Sequence, residues 1–381
     1  MKLASVEVIP YALPFRQRYV TARGALTRRE MVLLRVRDED GVVGLGEAVP
    51  LSLRGGSTLA EVVRELEAWS EARALGGAAG RQEDEGLSSA AFREDAELSA
   101  PALCAVTTAR MDLLGRRAAD GGKGGADGGG RDEAVTCNAT LVAGEADAVA
   151  ADAERWAADG FSTFKLKLGN ESAKTTVEVE RSQTRESDVA QVRAVREAVG
   201  PEARIRVDAN EAWDLETAKA TLAALEPYGI ELAEQPVAGL EAMAELAAST
   251  PIPLAADESV ATLEEAERAA AVGACAYTGI KLSKVGGPEA ALAIADVLPA
   301  YVTSALDGPV GIAAGAQVAL SLAETTRPER LHIAHGLATQ RLFAATIAAV
   351  GCELRDGTLH LPPGPGLGVE IDEEALQAHR L

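Results

Sequence analysis

Polar residues end a series of short apolar segments at a nearly constant interval, and that interval limits the folds open to this 381-residue chain. Asp208 to Glu234 is 26 residues, Glu234 to Asp257 is 23 and Asp257 to Lys281 is 24. Lys167 to Asp208 is 41, but the polar segment Glu171 to Ser187 accounts for 17 of these and leaves 24. A strand followed by a helical crossover of about a dozen residues or more fits such a repeat. The apolar runs predict strands at 135–142, 163–168, 204–210, 230–234, 253–257, 277–281, 301–305 and 331–335, with Ala-rich amphipathic helices after all but the last. About eight such units close into a parallel barrel rather than an open sheet, and no GxGxxG follows any strand to suggest a dinucleotide fold.

The rhythm is absent before residue 130. Val6 to Leu13, Met31 to Asp38 and Val42 to Ala48 alternate as antiparallel strands, the last two joined at the Glu39-Asp40-Gly41 turn. Leu59 to Leu75 and Ala100 to Ala118 carry apolar residues at helical spacing, so strands followed by helices predict an α+β unit. Gly76 to Ser99 reads as irregular, and Gly121 to Gly130 as a flexible linker into the barrel. After the last repeat, Glu353 to Gly368 reads as a small hairpin returning to the N-terminal unit. The expected organisation is an α+β domain over 1–130, a barrel over 131–350 and a returning segment over 351–381.

Charge narrows the partners. Asp plus Glu number 58 against 37 Lys plus Arg, a formal net charge of -21 that repels phosphate backbones and anionic lipid. Neither a nucleic-acid nor a membrane partner is expected. The longest apolar runs fall well short of the roughly 20 residues of a membrane span. Met1 to Phe15 alternates like a strand and lacks a signal peptide's apolar core, so a soluble, cytoplasmic protein is expected. The four cysteines are scattered without a CxxC, which argues against zinc and fits a reducing compartment.

Only eight of the 37 basic residues are lysine, and four of those fall in two strand-like segments, Phe164-Lys-Leu-Lys-Leu-Gly169 and Gly279-Ile-Lys-Leu-Ser-Lys-Val-Gly-Gly287. In a parallel barrel the active site lies where strands end. Strand two ends Lys165-Leu-Lys167, with both lysines on one face. Strand three ends Asp208-Ala-Asn210, strand four Glu234-Gln-Pro, strand five Asp257-Glu258-Ser and strand six Lys281. Three carboxylates brought together repel one another unless a divalent cation takes an oxygen from each, and magnesium favours such a donor set. A lysine beside that cation is expected to lose basicity and to abstract a proton α to a carboxylate. The alternative is a structural network in which lysines neutralise the acids.

The order KLK, DAN, EQP, ADES and IKLSKVGG closely resembles the enolase superfamily, and within it the muconate lactonizing enzyme subgroup, across essentially the whole chain. The resemblance implies a (β/α)7β-type TIM-like barrel, with an N-terminal α+β capping domain completed by the C-terminal segment. It implies Asp208, Glu234 and Asp257 as ligands of Mg2+, with Mn2+ as a substitute. Lys167 would be the acid/base on one face and Lys281 the lysine opposite. Lys165 would be an electrostatic companion, with Asn210 and Glu258 supporting the site. Within the subgroup, His335-Gly-Leu-Ala-Thr339 resembles the corresponding segment of o-succinylbenzoate synthases, whereas dipeptide epimerases show an Asp-x-Asp there that this chain lacks. The implied reaction is a dehydration of a small-molecule carboxylate in menaquinone biosynthesis. Racemisation of N-succinylamino acids and epimerisation of dipeptides use the same two lysines and are the alternatives. Arg23, Arg54, Ser304, His335 and Gly336 are the expected substrate contacts. A non-enzymatic binding barrel is the remaining alternative, which loss of a lysine or ligand would mark; all are present. Oligomeric state has no sequence signal here.

Overall fold

A computed structural model describes residues 3–21, 24–52, 55–76, 97–120, 133–142, 144–169, 178–325 and 333–381. Strands β1 (Leu3–Thr21), β2 (Gly24–Asp38) and β3 (Val43–Ala48) form an antiparallel sheet in the order β1-β2-β3. The first two run further than their alternation predicts. After a register shift between Pro14 and Tyr19 the ladder continues to Tyr19↔Leu26 and beyond, across a polar Arg16-Gln17-Arg18 stretch that hides the period. Alternation gives the sheet two buried faces. Val32, Leu34 and Val36 pack with the helices Leu59–Gly76 and Ala100–Asp120, while Met31 and Leu33 join the main core. The helix Ala100–Asp120 lies directly on β3: a Cβ on Gly46 would come 1.9 Å from the carbonyl oxygen of Ala105, so a side chain has no room there. The predicted linker 121–130 lies outside the described residues.

The repeat resolves into a seven-stranded parallel sheet. Its strands are β5 (Ala139–Leu141), β6 (Thr163–Lys167), β7 (Arg204–Asp208), β8 (Ile230–Glu234), β9 (Leu254–Ala256), β10 (Tyr277–Ile280) and β11 (Ala300–Val302), in sequence order. The two edges are joined through one short segment, because Cys137↔His335 and Thr303↔Gly336 form parallel bridges. The expected eighth strand is therefore reduced, over its described residues, to this pair of contacts. Gly336 is demanded by the close approach, since a Cβ there would lie 2.4 Å from Thr303 Oγ1. The fold is thus an α/β TIM-like barrel with an added α+β layer.

Three details differ from the expected elements. The first barrel strand is split: β4 (Ala134–Thr136) turns away from β5 and pairs with β13 (Thr358–His360), whose hairpin partner is β12 (Glu353–Arg355). The hairpin therefore extends the start of the first barrel strand, and the return to the N-terminal layer comes after it. There Leu367 N–H donates to Asp112 at 2.7 Å, and the helix Glu373–His379 leads to Leu381 N–H donating to Pro10 at 3.0 Å. The polar interruption is also helical from Glu178 onward, forming the start of a helix over Glu178–Val199. Its apolar residues gather near the C-terminal end, where Val192 and Val195 are buried, so no periodic stripe marks its beginning. Finally, the seventh strand ends earlier than expected, with Thr303 and Ser304 beyond it.

Sheet and barrel meet at a buried carboxyl. Glu47, on β3, accepts from the Tyr11 hydroxyl at 2.8 Å and from the N–H of Gly308 at 2.6 Å, at the start of the helix Pro309–Thr325. Burial, reinforced by the charge of Asp307, pushes Glu47 up to about 8. Among the described residues no helix is long and apolar enough to cross a membrane.

Candidate active site

Strand register assembles the expected residues. Lys167 pairs with Asp208 and Asp208 with Glu234, which sets three charged residues side by side at the C-terminal ends of β6, β7 and β8. Asp257 and Lys281 follow directly on β9 and β10. Period-two alternation turns Lys165 and Lys167 to the same face, with Leu166 packed in the core behind them. Asp208, Glu234, Asp257, Lys165 and Lys281 are all buried, whereas the side chain of Lys167 is 17% exposed, so it is the lysine that an entering molecule meets first.

The lysines sit on the carboxylates. Lys165 Nζ lies 2.6 Å from both oxygens of Glu234 and 2.8 Å from Asp208 Oδ2. Lys167 Nζ donates to Asp208 Oδ2 at 2.5 Å and to Asn210 Oδ1 at 2.9 Å. Lys281 donates to Asp257 Oδ2, and Lys284 donates to Asp257 Oδ1 at 2.9 Å as well as to its carbonyl oxygen. The electrostatics follow from this sharing. Burial alone would lower the Lys165 ammonium, but the charges of Asp208 and Glu234 outweigh it and hold the group well above its usual value. Lys165 thus runs opposite to the lowered basicity expected of these lysines, because carboxylates are its nearest charges. Burial raises Asp208, yet Lys165 and Lys167 together pull it well below the ordinary carboxylate range. Glu234 is raised, first by burial and then by the charge of Asp208, which outweigh the opposing charges of Lys165 and Lys281.

Support comes from residues just beyond the strand ends. Asn210 Nδ2 donates to Glu258 Oε1 at 3.1 Å, joining the ends of strands three and five. Asn210 and Glu211 hold φ of 48° and 65°, and Gln235 holds 38°, the left-handed region that residues other than glycine seldom adopt. Such strain concentrates at functional sites, where surrounding structure enforces it. Gln235 shows the enforcement: its Oε1 accepts from Asp257 N–H at 2.8 Å and Ser259 N–H at 3.1 Å, so the residue after Glu234 fixes the backbone that presents Asp257.

Gln235 and Lys284 are contributors that the sequence reading left without a role. The signal for Lys284 was present, as one of only eight lysines and three residues after Lys281. Tyr301 and Arg206, both fully buried inside the barrel, gave no such signal. The Tyr301 hydroxyl donates to Glu234 Oε2, and burial together with the Glu234 charge holds its ionisation far above the ordinary tyrosine value.

The expected substrate contacts are not gathered in the same way. Arg23 and Arg54 lie outside the described residues. Ser304 is buried and donates to Asp307 Oδ2 at 2.6 Å. His335 Nδ1 accepts from Val302 N–H at 3.0 Å, and burial, aided by the Arg206 charge, lowers it to about 4, so a neutral ring lies in the barrel wall. Gly336 packs on Thr303.

Among the described residues no three acidic, histidine or cysteine side chains form a ready coordination cluster, because ammonium groups cover the oxygens. The donor set itself fits a hard divalent cation. Asp208, Glu234 and Asp257 supply only oxygen, are fully buried, and raise one another's cost of ionisation, which a cation would relieve.

Comparison with known proteins agrees with this geometry. The profile of the family described as "Enolase C-terminal domain-like" matches residues 148–375, which take in all of these strand ends. An o-succinylbenzoate synthase of Thermobifida fusca (strain YX) is 38% identical over 193 residues, 50% of this chain and 56% of that protein. The structure of a muconate lactonizing enzyme from Pseudomonas fluorescens complexed with muconolactone superposes with a TM-score of 0.84 at 28% identity, covering 100% of this chain and 99% of that one. A dipeptide epimerase from Enterococcus faecalis V583, complexed with Mg and the dipeptide L-Leu-L-Tyr, gives a TM-score of 0.80 at 26% identity, over 97% and 100% of the two chains. Since the profile runs through more than half of the chain, and through the strands that carry the lysines and carboxylates, this protein belongs to the enolase superfamily of enzymes.

Proposed function

We propose that the protein is a divalent-metal-dependent lyase that dehydrates 2-succinyl-6-hydroxy-2,4-cyclohexadiene-1-carboxylate to o-succinylbenzoate, a step of menaquinone biosynthesis. The observation that carries the general chemistry is the placement of Lys167 and Lys281 at the ends of β6 and β10, on either side of Asp208, Glu234 and Asp257. The choice of dehydration is supported by the His335 to Thr339 segment and by the 38% identity to the T. fusca synthase over half of the chain.

Asp208, Glu234 and Asp257 would hold Mg2+ or Mn2+. When bound, that ion supplies positive charge against the carboxylate of the substrate as its α-carbon loses a proton. Lys167, partly exposed where Lys165 and Lys281 are buried, takes the proton α to the ring carboxylate. The same proton, now on Lys167 Nζ, goes to the departing 6-hydroxyl, so water leaves and the ring becomes aromatic. Lys281, paired with Asp257, contributes charge without exchanging a proton. Lys165 orients Glu234 and Asp208 through its buried ammonium.

N-succinylamino acid racemisation or dipeptide epimerisation is the second reading, favoured by the likeness to the E. faecalis epimerase and by a lysine on each side of the site. Assay of the purified protein with the cyclohexadiene carboxylate and with a panel of N-acyl amino acids and dipeptides separates the readings. Efficient dehydration with weaker racemisation is expected. Efficient racemisation or epimerisation with no detectable dehydration would overturn the choice of reaction.

A further inference from the structure

Tyr301 lies in the interior of the barrel beneath the carboxylates. It is fully buried and packs with Leu232 and Ala255 of β8 and β9. The guanidinium carbon of Arg206 sits 5.2 Å from its ring centroid. Arg206 is itself fixed, by Glu231 at 2.5 Å and by the carbonyl oxygen of Ala334 at 2.7 Å. The paired residue on β10 is Gly279, where a Cβ would stand 3.2 Å from the Tyr301 hydroxyl oxygen and 3.3 Å from Cζ. The barrel thus leaves a glycine-sized space beside the ring and a cation near its face, and the phenol has one place to go.

That place is Glu234. Lys165 contacts both Glu234 oxygens at 2.6 Å, whereas the Tyr301 hydroxyl donates to Oε2 alone, so the tyrosine distinguishes the two oxygens and the lysine does not. We propose that Tyr301 is a positioning residue for the cation site, its hydroxyl fixing the Glu234 carboxylate through Oε2 and presenting Oε1 to a divalent ion. The inference rests on the reading of Glu234 as a metal ligand. Partners that hydrogen-bond a ligating group from behind commonly change metal affinity by about 10- to 100-fold when removed.

The test is calorimetric titration of metal-stripped protein with Mg2+, beside thermal unfolding in EDTA, for wild type, Tyr301→Phe, Gly279→Ala and Glu234→Gln. Tyr301→Phe keeps the ring and should weaken Mg2+ binding by about 10- to 100-fold, with unfolding in EDTA close to that of wild type. The Mg2+ concentration for half-maximal activity should rise by a similar factor while kcat at saturating Mg2+ changes less. Gly279→Ala keeps the hydroxyl but crowds it, should weaken binding in the same direction, and decides the matter if Tyr301→Phe does not fold. Wild-type Mg2+ affinity in both variants, with binding lost in Glu234→Gln, overturns the positioning role and leaves Glu234 as a ligand. Wild-type affinity in Glu234→Gln overturns the ligand assignment, and the positioning role with it.

Discussion

The rim of the barrel has two unlike halves. From β6 to β10 every strand ends in a charged residue or is followed directly by one, and these residues are locked to one another by ammonium–carboxylate contacts such as Lys165 to Glu234 at 2.6 Å. From β11 to the closing segment the corresponding residues are Thr303, Ser304, His335 and Gly336, of which Thr303, His335 and Gly336 contact the backbone and one another while Ser304 donates to the side chain of Asp307. One half concentrates charge that is buried except at Lys167; the other closes the barrel by close packing. A buried charge is tolerated only with partners, so the first half is costly to assemble and the second is not. The two halves should therefore fail differently when altered: the charged half in turnover, the uncharged half in stability.

The largest effect should come from Lys167→Ala. Losing a positioned acid/base typically costs about 10²- to 10⁴-fold in rate, so steady-state dehydration should fall by at least that order, while Lys165 remains against Asp208 and limits the loss of stability. Turnover near wild type would break the comparison at its charged end. Lys281→Arg sharpens it. Arginine keeps the positive charge but is a poor base, so dehydration should remain measurable. Racemisation, which needs a base on each face, should vanish, while α-proton exchange of one enantiomer in deuterium oxide should persist through Lys167.

On the uncharged half, Gly336→Ala forces a Cβ to within 2.4 Å of Thr303 Oγ1. Overpacking of this kind typically costs about 1–3 kcal/mol, so the unfolding midpoint should fall while kcat of the folded enzyme stays near wild type. An unchanged midpoint would mean that the two edges are not held as closely as the bridges indicate.

A smaller effect concerns the layer over the barrel. Glu47 is pushed up to about 8 by burial, above the ordinary glutamate value of about 4.3. Between these values the folded state keeps a proton that the unfolded chain releases, so this group's contribution to stability falls as pH rises, and levels off above about 8. Glu47→Gln should flatten that part of the stability–pH profile. An identical slope in the variant, measured by denaturant unfolding across pH 5 to 9, would contradict the assignment.

The charged half was also the half legible in the sequence. Asp208, Glu234, Asp257 and Lys281 recur at 23 to 26 residues because each ends the same structural unit, and residue type and spacing together disclose the cluster. Gln235, Lys284 and Tyr301 act on neighbours across strands, through contacts that only the closed barrel creates, so their own spacing carries no message. His335 shows the converse. Its HGLAT context reads as a site motif, yet the side chain accepts a hydrogen bond from Val302 N–H and serves the wall. The start of the helix over Glu178–Val199 was hidden because its early residues lack an apolar stripe, and the partner of the 353–360 hairpin was hidden because β4 lies more than 200 residues earlier.

Asp208, Glu234 and Asp257 are proposed to act by holding a divalent cation beside Lys167. The most direct measurement is dehydration of the cyclohexadiene carboxylate by protein treated with EDTA, passed into metal-free buffer and then titrated with Mg2+ or Mn2+. Turnover should be lost on chelation and restored by either ion; undiminished turnover in metal-free buffer would contradict the account.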